Sequence, residues 1–101
     1  MLYTPLNVEI QSTDGALAPV GASVIITKGT TAALTLTVPP ASSIGQILVI
    51  TSGTAAAHTV TGSLNGASAT GTFGAAIGNG LILVAGTDTW LVVSNTNVTI
   101  V

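Results

Sequence analysis

The side chains in this sequence that could do chemistry are few and scattered. His58 is the only imidazole, Lys28 the only basic side chain, and Glu9, Asp14 and Asp88 the only carboxylates; there is no cysteine. General acid–base catalysis needs a titratable group within hydrogen-bond reach of its target. A metal site needs several ligands converging on one point, and here it would have to assemble across subunits. His58 with a hydroxyl such as Thr59 or Ser52 makes no triad without a convincing third member. The expected role of His58 is structural: a partly buried ring, on the strand face of Val60, donating to a backbone carbonyl. The Gly-rich stretch GAAIGNG (74–80) lacks both the GxxxxGK[ST] pattern and a following helix, so it does not read as a phosphate loop. The expectation is a protein that is not an enzyme and carries no cofactor and no metal.

The aromatic side chains are equally sparse. Trp90 opens a strand and is expected in the core with its indole N–H bonded near an edge. Phe73 reads as a core plug, and Tyr3 stands in an irregular amino-terminal stretch. A carbohydrate-stacking platform is the rival role for Trp90, but sugar sites gather several aromatics and carboxylates.

These residues must be held by a chain of 101 residues, 48% of them apolar. That length suits one domain. A chain of this size hides only about 60–65% of its unfolded surface, so with so few charges a monomer would expose much apolar and hydroxyl-bearing surface. An obligate oligomer, or a protein laid onto a larger assembly, fits better. With a net charge of −2 and one lysine, the chain cannot neutralise a row of phosphates, which argues against nucleic-acid binding. The apolar runs are too short for a transmembrane helix, and the aromatic girdles of a membrane barrel are missing. The first ten residues lack the basic start and apolar block of a signal peptide.

The elements come from pattern and repetition. Residues 25–37 (IITKGTTAALTLT) and 49–61 (VITSGTAAAHTVT) are identical at eight of thirteen positions, and LVAGTDTWLVV (83–93) is a looser echo. Each copy reads as strand, Gly-Thr connection, strand, which predicts antiparallel pairing. In residues 34–38, Leu34, Leu36 and Val38 alternate with Thr35 and Thr37, the mark of a sheet with one dry face. Pro39-Pro40 ends that strand. Asn65-Gly66 and Asn79-Gly80 are turn signals, and Asp88 is placed to cap the connection 86–89. ILVI (47–50), LILV (81–84) and LVV (91–93) are apolar on both faces. Burial on both sides needs a layer across each face, and no stretch offers a helix to supply it. The second layer must therefore be another sheet or another subunit.

The fold expected is all-β: a compact antiparallel β-sandwich or β-barrel of about seven to nine short, hairpin-repeated strands. Residues 1–21 form an amino-terminal arm or short edge strand, and residues 22–101 the β domain. Ile47, Val49, Phe73, Leu81, Leu83, Trp90, Val92 and Val93 are the candidates for packing or an interface. The 17 threonines cover exposed strand faces with methyls and uncharged hydroxyls. They form no Thr-x-Thr pattern long enough to favour ice binding.

Residues 34–40, the stretch GQILVITSGTAAAHTVTG (45–62), the Gly-rich region with Phe73, and LILVAGTDTWLVVSNTNVTI (81–100) together resemble small β-domains of tailed-bacteriophage structural proteins. Members of that group serve as head decoration (cement) proteins and as modules of head or tail fibres, commonly as trimers. The resemblance covers roughly residues 22–101 and implies that Trp90, Val92 and Val93 lie on the packed last hairpin. It assigns no catalytic residue. What it implies is a virion structural protein on the outer surface of a capsid, a homotrimer bridging and stabilising major capsid subunits. The alternative is a fibre or receptor- or carbohydrate-binding module. The chain has no long stalk, coiled-coil heptads or collagen-like repeat, which favours decoration.

Overall fold

The computed structural model describes residues 8–17 and 23–101. Strands form where aliphatic and β-branched residues cluster between small-residue turns. In chain order they are β1 (Val8–Gln11), β2 (Gly15–Leu17), β3 (Ser23–Ile26), β4 (Ala33–Leu36), β5 (Ile47–Ser52), β6 (Thr59–Leu64), β7 (Ala67–Phe73), β8 (Gly80–Ala85), β9 (Trp90–Thr96) and β10 (Val98–Ile100). The only helix among the described residues is a single 3-10 turn, Ala41–Ser43, directly after Pro39-Pro40. The protein is all-β, as the sequence predicts.

The strands pair as two five-stranded layers, β1-β3-β5-β8-β9 and β2-β4-β6-β7-β10. They join where Leu64, at the end of β6, pairs with Trp90, at the start of β9, which nearly closes a barrel. Residues pointing inward from both layers form one core, including Val24, Ile26, Leu48, Ile50, Leu81 and Leu83 from the first and Leu34, Leu36, Val60, Leu64, Phe73 and Val98 from the second.

The pairing differs from the expected repeated hairpins. β1, β3 and β5 are mutually parallel, and so are β2, β4 and β6. The chain winds as a coil: each turn lays one strand in the first layer and the next in the second, and successive turns stack. The sequence repeat is therefore a stacked rung, not a hairpin. Its connections, 27–32 and 53–58, are too long for the two-residue turns that keep both strands in one sheet, and they carry the chain across the core instead. Within the ladder Ser23 pairs with Val49 and Leu34 with Val60, so the spatial repeat is two residues longer than the sequence repeat. An even shift preserves the inside–outside alternation, which is why the pattern still reads correctly.

True antiparallel hairpins close the fold. β6 and β7 turn through Asn65-Gly66, both at positive φ (52° and 87°), as the Asn-Gly signal predicts. β8 and β9 pair around 86–89, but Asp88 caps nothing there. The connection is closed by the Gly86 N–H donating to the Thr89 carbonyl at 2.9 Å, while the Thr89 hydroxyl reaches across to the β6–β7 turn, accepting from the Gly66 N–H and the Ser63 hydroxyl. The dry face predicted for 34–38 stops at Leu36; Val38 is exposed because the chain leaves the sheet toward Pro39. Within the stretch read as an arm or edge strand, β1 pairs with β3 and β2 with β4, each at the edge of its layer. Leu6, Pro19 and Tyr3 lie outside the described residues.

Candidate functional site

Two places gather the residues that could matter: a corner of the coil, where the titratable groups meet, and the outward face of the first layer. At the corner, successive connections are stitched together. Asp14 Oδ1 accepts from Lys28 Nζ at 2.8 Å and from the Ala33 N–H at 3.1 Å. Lys28 and that backbone bond hold the Asp14 carboxyl below its ordinary range of about 3.8. One rung further on, His58 is fully buried, with its ring edge-on to Phe73. Its Nδ1 accepts from the Ala32 N–H at 3.0 Å, and its Nε2 lies 2.8 Å from Thr54 Oγ1. The Thr54 hydroxyl donates to the Lys28 carbonyl at 2.6 Å. Its proton is thereby committed, so Nε2 must be the donor to Thr54 and the ring is the neutral Nε2–H tautomer.

This corrects the expected role of His58. The ring accepts a backbone N–H and reaches a backbone carbonyl only through Thr54, which relays the bond. Burial, with the charge of Lys28 adding to it, pushes the imidazole below its ordinary 6.5. Both ring nitrogens are occupied and no face is open to a substrate, so the group fastens one rung to the next. Among the described residues no buried side-chain nitrogen or oxygen lacks a partner. No group of three His, Cys, Asp or Glu there could hold a metal.

The packing and interface candidates separate into two sets. Trp90, Phe73, Leu81 and Leu83 are buried in the core, and Val92 is half-buried against it. The Trp90 indole donates to the Thr37 carbonyl at 2.9 Å, tying the seam between the layers. Ile47, Val49 and Val93 lie instead on the outward face of the first layer. Register brings further residues there that the sequence reading did not single out. Val8 and Ile10 of β1 follow Ser23 and Ile25 of β3, which follow Val49 and Thr51 of β5. Ile47 and Val49 face Val84 and Ile82 of β8, and Val84 faces Leu91 of β9. Val8, Ile10, Ile47, Ile82, Leu91 and Val93 remain 39–63% exposed. No outward position on these five strands carries a charge.

That face has relief. The ladder jumps from Leu83↔Val92 to Ile82↔Ser94, leaving Val93 as the extra residue of a bulge. Beside it, Gly80 leaves a hollow of about 140 Å³, walled by Val49, Thr51, Ile82, Ser94 and Thr96. Gly80 is required there because a Cβ would collide with the Ile50 carbonyl oxygen.

The outward face of the second layer has the opposite chemistry. Thr35, Thr61 and Thr70 form one cross-strand row, and Thr59, Thr72 and Thr99 another. The Thr61 and Thr70 hydroxyls are 3.1 Å apart and bonded to each other. One side of the molecule is thus mainly aliphatic, with Ser23, Thr51, Ser94 and Thr96 among its outward residues, and the other is hydroxylated. The chain matches no family model, no curated protein and no solved structure. None of the described helical structure is long and apolar enough to cross a membrane.

Proposed function

We propose that this chain is a non-catalytic structural component of a virus particle, a capsid decoration protein that self-associates and stabilises the shell beneath it. The observation that carries this reading is the outward face of the first layer: five strands wide, aliphatic and uncharged. A contiguous apolar patch beyond a few hundred Å² marks an interaction surface on a soluble protein. The resemblance to phage structural β-domains supplies the kind of assembly and the major capsid protein as partner. The aliphatic face itself asks only to be covered.

Decoration stabilises by mass action, because a protein that binds the assembled state and not its parts raises resistance to heat or expansion without catalysis. The hydroxylated second layer suits the solvent side, since it hydrates well and carries no charge to repel neighbouring copies. The fibre or carbohydrate-binding alternative draws on exposed aromatic platforms, and Trp90 and Phe73 both lie in the core. Adding the purified protein to undecorated shells tests the proposal. Binding at a fixed ratio to shell subunits, with a raised disruption temperature, is expected; shells left bare and no more stable would overturn it.

A further inference from the structure

The aliphatic face could be covered by the shell, by a foreign protein or by another copy of this chain, and three features select among them. The first is charge. The outward positions of the five strands are neutral, so two such faces meet without the like-charge conflict that blocks most self-pairing. The second is area. Five strands spaced about 4.8 Å apart and about 17 Å long give a footprint of roughly 400 Å². Two such footprints hide about 800 Å² before side-chain corrugation is added, which places the contact among weak, reversible interfaces rather than obligate ones. The third is shape. Val93 stands proud on its bulge, and the Gly80 hollow lies beside it on the same face. A hollow of comparable size, about 150 Å³, holds a benzene-sized molecule, so this one can take an aliphatic side chain.

A projection and a matching hollow on one face are what a two-fold contact requires, because each patch must complement itself. We infer that two copies of this chain pair face to face through the first layer, with Val93 of each seated in the Gly80 hollow of the other. This deepens the proposed function by assigning the aliphatic face to a second copy, which leaves other surfaces for the shell.

The test is sedimentation velocity over a concentration series, with wild type beside Val93→Lys and Ile82→Lys. Thr72→Lys, on the hydroxylated face, is the control. All three sites are exposed strand positions, and circular dichroism checks that each variant folds. Wild type and Thr72→Lys should form dimers at micromolar concentration, and the two aliphatic-face variants should associate at least about tenfold more weakly. The chain has no cysteine, so a Val93→Cys/Thr96→Cys double variant adds a direct readout. These positions are three apart on one strand, beyond the roughly 4.4–6.8 Å Cα separation a disulfide spans. Oxidation should therefore give a covalent dimer and no intrachain bond. A persistent monomer, a trimer indifferent to Val93→Lys and Ile82→Lys, or no covalent dimer overturns the pairing. Shell binding is measured separately, so wild type that stays monomeric yet binds shells normally refutes the pairing and leaves the decoration proposal standing.

Discussion

Acidification between neutral pH and pH 5 should destabilise this protein through one residue. His58 is neutral in the fold because Nδ1 must accept the Ala32 N–H while Nε2 donates to Thr54. A proton on Nδ1 would set two N–H groups against each other in the buried corner. The folded-state pKa lies below the ordinary 6.5, chiefly through burial. Below 6.5 the unfolded chain therefore takes up a proton that the fold resists, and the equilibrium shifts toward unfolding. The contribution is fully present above 6.5 and is lost as pH falls toward the folded pKa. For a single proton the slope cannot exceed about 1.4 kcal/mol per pH unit. The measurement is urea denaturation at intervals from pH 7.5 to 5, comparing wild type with His58→Gln. The variant should lose about 1–3 kcal/mol at pH 7.5 through the disrupted corner hydrogen bonds, and its midpoint should be flat where that of wild type declines. A wild-type midpoint constant down to pH 5, or an equal decline in His58→Gln, would refute the tautomer assignment and the fastening role built on it.

Further outcomes follow from other parts of the structure. Trp90→Ala should destabilise by about 3–5 kcal/mol through lost burial and a residual cavity, read as a lowered thermal midpoint; an unchanged midpoint would remove Trp90 from the seam. Gly80→Ala should cost about 1–3 kcal/mol or more by forcing β5 and β8 apart at the Ile50 carbonyl, and wild-type stability would contradict the close approach. Asp14 titrates in a lower window. Its carboxyl pKa is depressed by Lys28 and the Ala33 N–H, so its contribution is present above 3.8 and lost as pH falls below it. Asp14→Asn should remove part of the acid sensitivity in that range and leave the His58 window untouched, as denaturation curves below pH 4.5 would show.

Much of the fold was legible because alternation is local. Leu34 and Leu36 against Thr35 report one dry face whichever strand lies alongside, and Asn65-Gly66 announces its turn by chemistry alone. Strand direction was not legible. A Gly-Thr connection looks the same whether it reverses the chain within one sheet or arches it across the core, and only connection length separated the two. The internal repeat set Leu34 against His58, whereas the ladder sets Leu34 against Val60, because stacking register depends on how the arches pack. His58 was identified as structural from its isolation, but its partners, Ala32 and Thr54, meet it only once two rungs are stacked. The aliphatic face was half visible: ILVI and LILV declared apolar residues on both sides. LVV did the same for Leu91, whereas Val8 and Ile10 joined that face through register alone, and the Val93 bulge has no sequence signal at all.

The central claim is that the protein works by covering and stabilising an assembled shell, and electron cryomicroscopy of the parent particle tests it most directly. The account predicts copies of this β-domain repeated across the capsid lattice, each with its aliphatic first layer buried and its threonine-rich second layer toward solvent. Density for the domain only at the tail or on sparse fibres, or lattice copies with the aliphatic face open to solvent, would contradict it.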